Sequence, residues 1–115
     1  MNTVTLYRPI GPKELELLKD GDFKRWPPRL AGQPIFYPVT NETYASEIAQ
    51  KWNVPESGCG YVTKFQVTQE FMAGYDIQKV GASHHTEWWI PASELEALND
   101  NIVGEITVIA EYSAT

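Results

Sequence analysis

The segment HTEWWIP, which begins at His85, carries a carboxylate in the middle of an apolar run. Strand alternation predicts that Trp88 and Ile90 face the core. The same alternation turns His85, Glu87 and Trp89 together toward the other face. A cleft that holds these three residues would cover the exposed tryptophan, and a carboxylate fixed there can stabilise positive charge in a transition state. The alternative is a solvent-facing acid without a role.

Three further residues offer groups that recognise a flat, anionic ligand. Arg8 ends an apolar strand face, and its planar guanidinium has paired donors that match phosphate or carboxylate. A carboxylate against aromatic rings needs a partner, and we expect Arg8 to be the partner of Glu87. Tyr37 and Tyr44 offer aromatic faces on which a ring can stack. The alternatives are an arginine that pairs with any acid at a sheet edge and tyrosines whose rings belong to the core.

A proline-rich loop over residues 23–34 concentrates positive charge. Lys24, Arg25 and Arg29 fall within six positions of it. The loop is too long for a simple turn. We expect it to border the cleft, where Arg25 or Arg29 adds to anion binding.

The pair His84 and His85 raises the question of a metal site. Adjacent residues on a strand point to opposite faces, so these two side chains are not expected to bind one ion. The chain has two histidines in all, and its one cysteine excludes a four-cysteine zinc site. The sequence therefore predicts no metal site.

Short alternating strands and helices must position these residues. The patterns predict strands near residues 3–8, 34–39, 61–67, 86–90 and 105–112 and a helix near 41–52. Asn41 is typical of an N-cap, and the apolar stripe of the helix continues to Trp52. Residues 54–60 are expected to form a loop. Ser93 and Glu96 have the spacing of a capping box.

The half-polar strands favour an α+β fold, with a mixed, mainly antiparallel sheet and short helices, in a single domain over residues 1–115. A net charge of −6 argues against nucleic acid as a partner. The sequence shows no signal peptide and no apolar run of membrane-spanning length. We therefore expect a cytoplasmic protein of bacterial type that does not bind membranes.

The order of these motifs resembles that of the ADP-ribosyltransferase fold. LYRP contains Arg8, FYPVTNETYA contains Tyr37 and Tyr44, and HHTEWWIPASEL contains Glu87. Nearly the whole chain also resembles short bacterial proteins labelled "ADP-ribosylation/crystallin J1". That label belongs properly to helical ADP-ribosyl-glycohydrolases that use acidic residues on magnesium, and the strand-rich pattern here favours the transferase-like fold.

The resemblance implies a role for each matched residue. Arg8 would hold the phosphate or ribose of NAD, Tyr37 would support the nicotinamide pocket, and Glu87 would stabilise the cationic transition state. His85 stands where arginine-modifying members have a second acid, so arginine is not implied as the acceptor. The first hypothesis is thus an enzyme that transfers ADP-ribose from NAD or cleaves NAD. The second is a catalytically inactive module of the same fold that binds a nucleotide, a second copy or another protein.

Overall fold

The computed structural model describes residues 2–114 and has the α+β architecture predicted above. The strands are β1 (Thr3–Ile10), β2 (Ile35–Phe36), β3 (Cys59–Thr68), β4 (Ile77–Lys79), β5 (Thr86–Trp88), β6 (Ile90–Pro91) and β7 (Ile102–Ser113). The helices are α1 (Pro12–Asp20), α2 (Glu42–Ile48), α3 (Val54–Ser57), α4 (Gln69–Met72) and α5 (Leu95–Asp100). A π turn at Ala49–Asn53 joins α2 to α3, and a 3-10 turn at Ala92–Glu94 precedes α5.

One short crossing segment connects the two parts of the sheet that carry the candidate site. Strands β1, β3 and β7 form an antiparallel sheet in that order, and β4 pairs with β5. Val39 lies between them and bridges Tyr7 on β1 and Glu87 on β5. The amide of Val39 donates to the carbonyl of Tyr7 at 2.7 Å, and the amide of Trp88 donates to the carbonyl of Pro38 at 2.9 Å. Tyr7 on β1 and Glu87 on β5 therefore lie on either side of Val39.

The sheet buries apolar residues on both faces. The larger cluster packs α1, α5 and the loop against β1 and β3; its most buried members are Leu6, Ile10, Leu18, Trp26, Phe36, Phe65, Val67, Ile90 and Leu98. The smaller cluster joins Val39 and Val62 to Ala45 and Ala49 of the helix that follows. Because alanine side chains are small, this helix lies close to the strands.

Several predicted boundaries were wrong, each for a local reason. Strand β1 continues through Pro9 to Ile10, because Pro9 pairs opposite Val62 without needing an amide proton. The second predicted strand shrinks to β2, since the chain leaves β6 after Phe36 to make the Val39 bridges. Residues 54–57, expected as loop, form α3. Strand β7 begins at Ile102, three residues before the predicted start.

The predicted helix is interrupted by the π turn, and Gly60 on β3 packs directly against it. A Cβ atom at Gly60 would lie 2.6 Å from the carbonyl oxygen of Ala49, so only glycine allows this approach. The wider turn shifts the helical register, and Trp52 leaves the apolar stripe to become 68% exposed. Placing Trp52 in the core was therefore wrong. Within residues 2–114, no helix is long and apolar enough to cross a membrane.

Candidate functional site

Four of the predicted site residues converge on one cleft of about 590 Å³. Arg8 reaches it from β1, Tyr37 from the end of β2, Tyr44 from α2 and Glu87 from β5. The remaining lining residues are Pro9, Val39, Ile48, Trp52 and Asn53. This volume and mixture of aromatic and charged groups are typical of small-molecule sites.

Alternation along β5 places Glu87 as predicted. Trp88 and Ile90 are buried in the core, and Glu87 lines the cleft with 9% of its surface exposed. A nearly buried carboxylate needs hydrogen-bond donors to replace the water that burial removes. Tyr44 Oη donates to Glu87 Oε1 at 3.1 Å, and Trp89 Nε1 donates to Glu87 Oε2 at 2.8 Å. Each carboxylate oxygen keeps a further lone pair for a ligand.

The expectation that Arg8 is the partner of Glu87 was wrong. Arg8 Nε and Nη2 donate to the two carboxylate oxygens of Glu14, at 2.7 and 3.1 Å. Glu14 lies on α1, which begins two residues after β1 ends, so the pair forms locally. Arg8 Nη1 makes a long hydrogen bond of 3.4 Å to the carbonyl of Tyr37, and the guanidinium lies 4.4 Å from the centre of the Phe36 ring. Nη1 is thus the guanidinium nitrogen of Arg8 with the weakest hydrogen bond to the protein.

Tyr44 is held as a hydrogen-bond donor. Burial raises the pKa of its hydroxyl to about 12, and the charge of Glu87 and the hydrogen bond to it act in the same direction. The hydroxyl therefore stays protonated at any physiological pH and keeps one oxygen of Glu87 in place.

This arrangement predicts that Tyr44 loses its proton at a higher pH than an ordinary tyrosine. Because the folded pKa of Tyr44 lies above the usual 10, its hydrogen bond stabilises the fold below pH 10, and that stability is lost as the pH rises toward 12. Tyr44→Phe should remove one phenol that titrates near pH 12 from the ultraviolet absorbance curve. Tyr75, whose pKa is also raised to about 12 by burial and by Glu94, should remain in that variant. If Tyr44→Phe removes a phenol that titrates near pH 10, Tyr44 is neither buried nor bonded to Glu87 in solution.

Trp89 and His85 were predicted to line the cleft, but each lies outside it and contacts a residue that lines it. Trp89 is 45% exposed and is absent from the cleft lining; it reaches the site through its bond to Glu87. His85 stacks on the ring of Tyr44 with 4.6 Å between centroids. Because β5 covers only Thr86–Trp88, both residues lie beyond its ends and the alternation does not extend to them.

The loop at residues 23–34 does not place Arg25 at the cleft. Arg25 is exposed and pairs with Glu96 and Asp100 on α5, at 2.8 and 3.1 Å. The cause is Asn99, which accepts a hydrogen bond from the amide of Trp26 at 2.8 Å and donates one to its carbonyl at 3.0 Å. These bonds hold this part of the loop against α5, so the predicted role of Arg25 in anion binding has no support in the structure.

Arg29 lines a second depression, which we call the side groove. The side groove has a volume of about 430 Å³ and shares Asn53 with the cleft. Arg29 Nε and Asn53 Oδ1 are buried without a hydrogen-bond partner among residues 2–114. Burial lowers the pKa of Arg29, and the charge of Arg8 adds to the effect. Both atoms belong to side chains that line the side groove.

Sequence reasoning missed three residues that shape the site. Glu14 neutralises Arg8, and Trp52 and Asn53 line the cleft from the π turn. Helical spacing assigned Trp52 to the core, and nothing in the pattern marks a π turn. The one signal for Glu14 was its position six residues after Arg8 and two residues after Pro12, a residue type favoured in the first turn of a helix.

The expectation that His84 and His85 point to opposite faces of a strand was also wrong. His84 and His85 lie in the turn before β5, and Nε2 of each ring lies within hydrogen-bond distance of the same oxygen, Glu47 Oε2, at 2.6 and 3.1 Å. Because they are outside the strand, strand alternation does not apply. The two rings therefore lie near one shared oxygen and do not point to opposite faces of a strand.

The cleft as a whole combines a fixed carboxylate, a guanidinium and aromatic walls. Comparisons of this chain with protein-family models, curated proteins and solved structures found no match. The groups around the cleft can accept a cationic carbon beside Glu87, a ring against Tyr37 or Trp52, and an anion near Arg8.

Proposed function

We propose that the cleft binds NAD or a related nucleotide and that the protein, like an ADP-ribosyltransferase, transfers ADP-ribose or cleaves NAD. The observation that carries the proposal is the convergence of Arg8, Tyr37, Tyr44 and Glu87 on one cleft. Arg8, Tyr37 and Glu87 are the residues that the resemblance assigns to that activity. Tyr44 donates a hydrogen bond to Glu87, and the four residues come from separate parts of the chain.

Glu87 supplies the electrostatic part of the reaction. The bond between the ribose carbon and the nicotinamide nitrogen breaks, and its electron pair leaves with nicotinamide. The ribose becomes an oxocarbenium-like cation, which a fixed carboxylate stabilises. Water or an acceptor then attacks that carbon and loses a proton. Tyr44 and Trp89 hold Glu87 before substrate arrives, so little reorganisation is needed during the reaction.

The rest of the cleft supplies binding. Tyr37 and Trp52 present exposed rings for stacking, and Arg8 Nη1 can donate to an anionic oxygen. Glu14 competes for the same guanidinium, so a phosphate must bind beside this carboxylate or displace it. Arg29 in the side groove adds a second positive charge for an extended ligand.

The test is a titration with NAD followed by an assay for free nicotinamide. Saturable heat of binding in calorimetry and nicotinamide above the uncatalysed rate in chromatography are the expected results. The proposal is overturned if millimolar NAD produces neither a heat of binding nor free nicotinamide.

A second candidate, a catalytically inactive binding module, is favoured by one observation. The charges of Arg8 and Glu87 are already satisfied within the protein, by Glu14 in one case and by Tyr44 and Trp89 in the other. Groups with purely structural roles are paired in this way. This candidate predicts nucleotide binding without nicotinamide release in the same assay.

Two arginines in one loop provide a matched pair of variants. Arg29→Gln removes the charge beside the unsatisfied atoms of the side groove and should weaken the affinity for ADP-ribose about tenfold, more at low salt. Arg25→Gln removes an exposed charge that pairs with α5 and should leave affinity unchanged. Calorimetry at two salt concentrations measures both. Equal effects of the two variants would remove the side groove from the binding site.

A further inference from the structure

A cluster outside the cleft brings three metal-ligating side chains together. Glu47 comes from the last turn of α2, and His84 and His85 come from the turn before β5. One ligand atom from each residue lies within 4.8 Å of the other two. All three side chains are partly accessible, with 30 to 38% of their surface exposed, so an ion can reach them from solvent.

Contacts other than those among the three residues hold the cluster in place. Asn41 Nδ2 donates to the carbonyl of His84 at 2.8 Å, which ties the turn to the N-cap of α2. The His85 ring stacks on Tyr44. A Cβ atom at Gly81 would lie 2.5 Å from His85 Nδ1, so glycine leaves the space in which this ring sits. The positions are therefore organised without an ion.

We propose that Glu47, His84 and His85 bind a divalent ion of the zinc type. Two imidazoles and one carboxylate are a donor set found in zinc sites that leave the fourth position open. Ligand atoms about 2.0 to 2.1 Å from zinc in a tetrahedron lie roughly 3.3 Å apart. Nε2 of His84 and Nε2 of His85 lie 2.6 and 3.1 Å from Glu47 Oε2, and the three ligand atoms lie within 4.8 Å of one another. Small rotations of these partly exposed side chains bring the ligand atoms to that spacing.

One hydrogen bond competes with metal binding and limits the affinity of the three ligands for the ion. The amide of Ala82 donates to His85 Nδ1 at 3.1 Å, so a neutral His85 carries its proton on Nε2. Coordination through Nε2 moves that proton to Nδ1 and breaks the bond to Ala82. This loss lowers the affinity about ten- to a hundredfold relative to a site without it. Metal binding should therefore displace the backbone at Ala82 as well as the two rings.

The site does not depend on the function proposed for the cleft. None of its three ligands lines the cleft, and the ion would bind whether or not NAD is a substrate. The two places are connected through Tyr44, which stacks on His85 and bonds to Glu87.

The test uses the untagged protein, with Zn²⁺ in calorimetry and Co²⁺ in visible absorption. We expect one ion per chain, and Co²⁺ bands of the intensity typical of four- or five-coordinate ions. His84→Ala, His85→Ala and Glu47→Gln should each weaken Zn²⁺ binding at least about 100-fold. Glu42→Gln, an exposed acid on the same helix, is the matched control and should leave binding unchanged.

A measurement on the unmodified chain guards against variants that fail to fold. Nitrogen resonances of the two imidazoles should show Zn²⁺ at Nε2 of both rings, and the amide resonance of Ala82 should move with them. No saturable binding of either metal, or Zn²⁺ shifts that omit His84 and His85, would overturn the proposal.

Discussion

Replacing Glu87 by glutamine is expected to reduce nicotinamide release from NAD by about two or more orders of magnitude, with NAD affinity nearly intact. The change removes the negative charge that faces the developing cation. The fold should tolerate it, because the amide oxygen can still accept from Trp89 and the amide nitrogen can donate to the hydroxyl of Tyr44. Steady-state kinetics should show the loss in kcat and little change in KM.

The control for this variant is Glu70→Gln, which alters an exposed acid on α4 outside the cleft lining. It should match the original chain in both kinetic constants. If neither the original chain nor Glu87→Gln releases nicotinamide but both bind NAD with different affinity, the binding-module candidate is correct. If Glu87→Gln retains full turnover, the carboxylate plays no part in the chemistry.

The candidate site was predictable where it depends on alternation along a strand. The pattern in TEWWI identified Glu87 as the group facing away from Trp88 and Ile90, and the structure places all three as expected. It did not identify the partners of Glu87. A hydrogen bond from Tyr44 depends on how α2 lies across the strands, which is a tertiary arrangement that no local pattern encodes.

The helices show the same limit. Asn41 was predicted as an N-cap, and its side chain accepts a hydrogen bond from the amide of Tyr44 at 2.7 Å. The capping box predicted from Ser93 and Glu96 is absent, because Ser93 lies within the 3-10 turn that precedes α5 and no side-chain cap forms there. A cap is specified by neighbouring residues, whereas this turn directly follows β6, whose partner β2 is distant in the sequence.

The two arginines of the loop illustrate why charge alone did not locate a site. Arg25 and Arg29 are four residues apart, yet one lies on the surface against α5 and the other beside the cleft. What separates them is Trp26, which is buried between Phe36 and Phe65 with ring centroids 5.4 and 5.2 Å away. The loop is positioned by this aromatic anchor, and the prediction had considered its charges and prolines only.

The anchor depends on Asn99, and Asn99→Ala is expected to destabilise the protein by roughly 2 to 6 kcal/mol. The variant leaves the buried amide and carbonyl of Trp26 without partners, and each unsatisfied backbone group costs about 1 to 3 kcal/mol. That is a large part of the stability of a typical small domain, about 5 to 15 kcal/mol. Urea unfolding followed by tryptophan fluorescence measures the difference.

Asp100→Ala is the matched control, because it changes the next residue of α5 and removes only an exposed contact to Arg25. It should leave the urea midpoint nearly unchanged. The urea midpoint of Asn99→Asp should lie below that of Asp100→Ala. This variant keeps the acceptor for the Trp26 amide, but it loses the donor to the Trp26 carbonyl and buries a charge. If Asn99→Ala proves as mild as Asp100→Ala, the packing of Trp26 between Phe36 and Phe65 holds the loop by itself. In the expected case, the variant should also weaken ligand binding through Arg29, because the anchor at Trp26 sets where that side chain meets the side groove.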